Sequence, residues 1–137
     1  MYENFTGLDK SNIVVGLDLN EIRSIVKLNC IIYVEGFFDY LRLRSLGCTN
    51  VVAIQGSSTI SKNQLLLGSA FADKIIFCFD GDERGQQANQ KGLELAEELG
   101  LKAKVITLPE TDDPDTLGKT NPYHMKKLIY DVITGEF

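Results

Sequence analysis

At 137 residues, 44% hydrophobic and 24% charged, the chain suits one domain with a real core, and its balance excludes a disordered polymer. No apolar run reaches the roughly 20 residues that span a bilayer, and the opening MYENFTGLDK lacks the basic-then-apolar order of a secretory leader. A net charge of −5 argues against tight nucleic-acid binding by this chain alone, since such binding draws on clustered Lys and Arg.

Residues 1–17 are weakly patterned and read as a lead-in segment. Asp18 with Glu21 makes a capping-box-like start, which predicts a helix to about Lys27. CIIYV at 30–34 is short, apolar and β-rich, the pattern of a buried strand. Phe37, Phe38, Leu41 and Leu46 then recur at helical spacing, and Gly47 supplies the stop. VVAI at 51–54 is a second strand closed by Gly56, and a third helix covers Lys62 to Phe71 with Leu65, Leu66 and Phe71 inward. The strand KIIFCF at 74–79 runs straight into a DGD turn. Behind it Ala88, Gly92, Leu95, Ala96 and Leu99 form one helical stripe, with Gly100 and Leu101 as its C-terminal cap. AKVITL at 103–108 is the last strand, and Asn121 with Pro122 opens a final helix carrying Met125, Leu128, Ile129 and Ile133. Strand and helix alternate throughout, predicting a single α/β domain: a parallel sheet of about four strands, covered on both faces.

Three acidic clusters each follow an apolar run: Glu35 with Asp39 in VEGFFD, Asp80 with Asp82 in FDGDERG, and Asp113 with Asp115 in DDPD. They come after the first, third and fourth predicted strands, and open α/β sheets place ligands at the carboxyl ends of their strands. For Glu35 to meet Asp80 their strands must be neighbours, which predicts the order 2-1-3-4. Carboxylates that converge repel one another, and a hard divalent cation with oxygen ligands offsets that repulsion. Carboxylates around Mg²⁺ point to phosphoryl chemistry. Each cluster also has a plainer reading. DGD is common turn chemistry, with Gly81 letting the backbone turn sharply. Asp39 and Glu83 fall where any helix welcomes an acid, Gly36 lets the chain leave its strand, and Asp-Pro is a routine turn.

Other features carry less. GKT at 118–120 ends like a phosphate-cradling loop, but Asp113 stands where the first Gly is required, and an acid there repels phosphate. The only histidine, His124, falls in the polar part of a predicted helix and reads as exposed. Cys30, Cys48 and Cys78 show no CxxC or Cys/His pairing. Cys30 and Cys78 read as small apolar residues of buried strands, which fits a reducing cytoplasm.

Taken together, VEGFFD, VVAIQGS, FDGDERGQQA and LPETDDPDTL, with their spacing, resemble a Toprim domain, most like that of bacterial-type (DnaG-like) DNA primases. The resemblance covers roughly residues 13–118, and it implies a three-layer Rossmann-like fold over 18–118 with the 119–137 helix packed on or following it. It also implies Mg²⁺ or Mn²⁺ as cofactor, with Glu35, Asp80 and Asp82 as core ligands and catalytic residues, and Asp39, Asp113 and Asp115 as contributors. Gly36, Gly81 and Arg84 are further candidates, and the residues that bind nucleotide stay unassigned. The implied function is nucleotidyl transfer that makes RNA primers on single-stranded DNA, with nucleoside triphosphates as substrates. A replicative helicase would be met through domains this sequence does not resemble. A stand-alone Toprim nuclease and a non-catalytic metal- or partner-binding module remain open alternatives. Two departures stand out: Arg84 replaces a usual small residue, and Asp112 stands where a Lys often precedes DPD.

Overall fold

The computed structural model describes residues 14–55 and 59–137. Residues 1–13 of the lead-in segment, and residues 56–58 with the Gly56 expected to close the second strand, lie outside them. The described elements are α1 (Leu19–Leu28), β1 (Cys30–Val34), α2 (Phe37–Ser45), β2 (Val51–Ala53), α3 (Lys62–Ser69), β3 (Lys74–Phe77), α4 (Glu83–Glu98), β4 (Lys102–Val105), α5 (Pro114–Thr120) and α6 (Pro122–Thr134). Of these, α5 is the addition to the sequence reading, which left DDPD as an acidic loop. Asp113 caps it and Pro114 opens it at the position where a missing N–H costs nothing.

The four strands are all parallel and lie in the order β2-β1-β3-β4, as expected. Chain direction along the sheet reverses between β1 and β3, so the crevice of a topological switch point opens at their carboxyl ends. Successive strand residues face opposite layers. Ile31, Tyr33, Ile75 and Phe77 pack with Ile25 of α1, Leu65 of α3 and Ala88 and Ala96 of α4. Cys30, Ile32, Val34, Ile76 and Cys78 pack with Leu43 of α2, Leu117 of α5 and Met125 and Ile129 of α6. The result is three layers with the sheet in the middle, its β1 strand buried at every residue. Val15 adds a single antiparallel bridge to Ala53 and covers the β2 edge.

Local signals explain most element ends. Asp18 accepts from the Glu21 backbone N–H, and Ser61 and Gln64 form a reciprocal cap on α3. Gly47 and Gly100 both take positive φ, and the amides after them reach back to Leu43 and Ala96. Cys30 and Cys78 are buried as expected, and burial pushes the Cys30 thiol up to about 11. Three orientations differ from the sequence reading. Phe37, Phe38 and Leu41 are exposed, because α2 turns Asp39 and Leu43 inward instead. Leu66 of α3 is exposed while Leu65 is buried. His124 is half-buried in the first turn of α6 rather than exposed.

Candidate metal centre

At the carboxyl ends of β1, β3 and β4 the chain leaves the sheet through three acidic turns. Asp39, Asp80 and Asp113 each place one carboxylate oxygen so that the three lie within 4.8 Å of one another. The residues are separated by 41 and 33 positions in sequence, and the parallel sheet is what unites them. Asp39 sits in the first turn of α2 and is only 8% exposed. Its Oδ2 accepts from the Gly36 N–H at 3.3 Å and its Oδ1 from the Asp115 N–H at 3.0 Å. It is therefore both a helix cap and a member of the cluster, and it ties α2 to the start of α5. Asp80 follows β3, and its Oδ1 is buried without any hydrogen-bond partner. Asp113 caps α5, accepting from the Thr116 N–H at 2.8 Å.

Buried like charges disfavour ionisation, and these carboxyls respond accordingly. Desolvation, then the charges of Asp113 and Asp80, pushes Asp39 up to about 7 against the opposing hydrogen bonds from the Asp115 and Gly36 amides. Desolvation, then Glu35, Asp113 and Asp82, pushes Asp80 up to about 6, with Arg84 pulling the other way. A polar atom buried and unpaired costs about 1–3 kcal/mol unless something satisfies it. The orphaned Asp80 oxygen, in a nest of three acid side chains, fits a hard divalent cation with oxygen ligands.

The remaining sequence candidates surround this trio with other partners. Glu35 ends β1, and its Oε2 accepts from Arg84 Nη1 at 3.0 Å. Asp82 caps α4, accepting from the Gly85 N–H at 2.7 Å, and its charge acts on Asp80. Asp115 accepts from Arg42 Nε at 3.0 Å, an ion pair between α2 and α5. Gly36 has an ordinary extended φ of −117° as the cap of α2. Gly81 does not supply a left-handed turn; it is needed because a Cβ there would strike the Pro109 carbonyl, while its N–H donates to Asp112 at 2.8 Å. Thus the DGD turn and the DDPD loop touch backbone to backbone.

Sequence reasoning overlooked the groups that hold this turn. Gln86 of α4 donates to the Gly81 carbonyl at 2.8 Å, and buried Asn89 accepts from the Phe79 N–H at 3.3 Å. Asn89 sits on the buried side of α4, where the apolar stripe is interrupted by one amide, and that interruption was the available signal. The stem of Arg42 lies against Gly118 and its guanidinium holds Asp115.

The fold and site define a class: a parallel three-layer α/β domain with an acid trio at its switch point that could hold a metal ion. Comparison with known proteins narrows it. The Toprim-like family matches residues 32–117. A DNA primase of Clostridium acetobutylicum is 35% identical over 109 residues, spanning 77% of this chain and 18% of that protein. The Aquifex aeolicus primase structure, comprising zinc-binding and RNA polymerase domains, superposes with a TM-score of 0.82 at 33% identity. It covers 92% of this chain and 31% of that one. A DnaG primase catalytic domain bound to single-stranded DNA superposes with a TM-score of 0.76 at 26% identity, over 90% of this chain and 40% of that one. The chain belongs to the Toprim-like family. It spans about a fifth of the length of the curated primases it matches. Among the described residues no helix is long and apolar enough to cross a membrane.

Proposed function

We propose that this chain is the Toprim catalytic core of a DNA primase, a metal-dependent nucleotidyltransferase that makes RNA primers on single-stranded DNA. The observation that carries the reading is the trio Asp39, Asp80 and Asp113, together with the orphaned oxygen of Asp80. The names of its relatives support the same direction, and they are names of proteins several times longer. The activity therefore belongs to a longer parent in which other segments grip template and nucleotide and meet a replicative helicase. A cytoplasmic location fits that role.

A bound Mg²⁺ or Mn²⁺ would neutralise phosphate charge and orient the attacking hydroxyl. The chain's own residues make the seat for it. Asp39, Asp80 and Asp113 supply oxygens from the segments that follow three strands, with Glu35 and Asp82 beside them as further ligands. Asp115 is assigned to hold α5, since its carboxylate already faces Arg42 and its N–H already serves Asp39. Gly81 and Gly85 allow close backbone approach: a Cβ on Gly85 would strike the Asp80 carbonyl. This packing fixes the DGD turn before any ligand arrives, which keeps the ordering cost of binding low.

The test is Asp80→Asn in the full-length parent, assayed for primer synthesis on single-stranded DNA with Mg²⁺. The reading expects a loss on the order of a hundredfold or more, the scale of removing one electrostatic support of a transition state, with the circular dichroism unchanged. Undiminished primer yield in that variant would overturn it. Cleavage of labelled RNA or DNA by the chain with Mn²⁺, lost in Asp82→Asn, would favour the nuclease instead.

A further inference from the structure

Arg84 is a cation whose charge acts on Asp80, a member of the acid trio. It occupies the first turn of α4, two residues beyond the Asp82 cap. Its Nη1 donates to Glu35 Oε2 at 3.0 Å, joining the start of α4 to the end of β1 across 49 residues of sequence. Glu35 is partly enclosed, with its side chain 20% exposed, while that of Arg84 is 56% exposed. Both act on Asp80, Glu35 disfavouring its ionisation and Arg84 favouring it. The acid rim is thus divided. Among the described residues, Asp39, Asp80 and Asp113 face one another without a basic side chain bonded to them, whereas Glu35 already holds a positive charge.

We propose that Arg84 is a tethered counter-ion that competes with the divalent cation for Glu35, so that metal binding through Glu35 requires Arg84 to let go. The inference rests on the metal reading of this site. A guanidinium does not lose its proton at any working pH, so the competitor is always charged. An ion pair this open to solvent is weak, so a divalent ion anchored on the trio is able to displace it. The displaced side chain keeps its charge beside the centre, where an anionic group of the substrate would meet it. The same pair makes the rim less repulsive before metal binds, which lets the fold tolerate so many acids in one place.

Mn²⁺ binding to the folded chain, followed by the electron paramagnetic resonance of free Mn²⁺, tests this in wild type, Arg84→Ala, Glu35→Gln and the double variant. Arg84→Gln serves as a second variant that keeps length and helix propensity. Removing the arginine should tighten Mn²⁺ binding by about two- to tenfold, the range for losing one exposed ion pair and its neighbouring charge. Glu35→Gln should weaken Mn²⁺ binding in the wild-type background and should abolish the gain in the Arg84→Ala background. Equal or weaker Mn²⁺ binding by both Arg84 variants would overturn the proposal, as would a gain that survives Glu35→Gln. Absence of Mn²⁺ binding in wild type and every variant would overturn the metal reading together with it.

Discussion

Asp80 shows what a site of this kind costs while it waits for its ligand. Its carboxyl is pushed from 3.8 up to about 6 by desolvation and three neighbouring acids, so the folded state holds that proton more tightly than the unfolded chain. The resulting stability is present in full below the unfolded value near 4 and is lost as pH rises through about 6. Asp39, pushed up to about 7, adds to the same trend over a slightly wider range. In chelator, Asp80→Asn should therefore stabilise the protein at pH 8 by about 1–2 kcal/mol, a figure reduced for the partial exposure of the site. The gain should shrink to nothing near pH 4. Urea melts of wild type and variant at both values decide it, and a stability difference independent of pH would contradict the assignment. Asp80 was legible in the sequence because a strand runs straight into it. Asp39 was half-legible: its place in a first helical turn explained it as a cap, and only its burial shows the second role.

Between elements, the contact that matters is backbone against backbone. The DGD turn leans on the 109–112 loop through Gly81, so Gly81→Ala must push the loop away rather than rotate a side chain. Overpacking of this sort costs roughly 1–3 kcal/mol, and because the displaced loop carries Asp113, Mn²⁺ affinity should fall along with the melting temperature. Metal binding at wild-type strength in a destabilised Gly81→Ala protein would separate the loop from the site. The α2–α5 pairing offers a milder case. Arg42 covers Gly118 with its stem and holds Asp115 with its head. Arg42→Ala should cost about 1 kcal/mol, from lost packing together with a half-exposed ion pair, measured by thermal unfolding. The sequence hid α5 because the Asp-Pro start that reads as a turn is equally a helix cap followed by Pro. Seven residues are too few for a periodic stripe to choose between them.

For the molecule as a whole, the acid trio links folding to cation concentration. A ligand that binds only the folded state raises its stability by mass action. Millimolar Mg²⁺ or Mn²⁺ should raise the melting temperature by several degrees, about 3–8 °C for a domain of this size, and Asp80→Asn should remove most of that rise. An unchanged wild-type melt would count against the centre. By itself the sequence determined the alternation of strand and helix, the four-strand order, the capping glycines and the three acid turns. All of these rest on local pattern or on the rule that parallel sheets gather ligands at one edge. Tertiary structure alone decided which acids meet. The sequence reading put Glu35, Asp80 and Asp82 first and Asp39, Asp113 and Asp115 second, whereas the fold draws Asp39, Asp80 and Asp113 together. Once folded, Arg84 pairs with Glu35 and Arg42 with Asp115, while Asp39, Asp82 and Asp113 each accept a backbone amide and one Asp80 oxygen is left without a partner among the described residues. A carboxylate's role depends on which other oxygens it meets, and that is set by the order of the parallel strands and the packing of helices far apart in sequence.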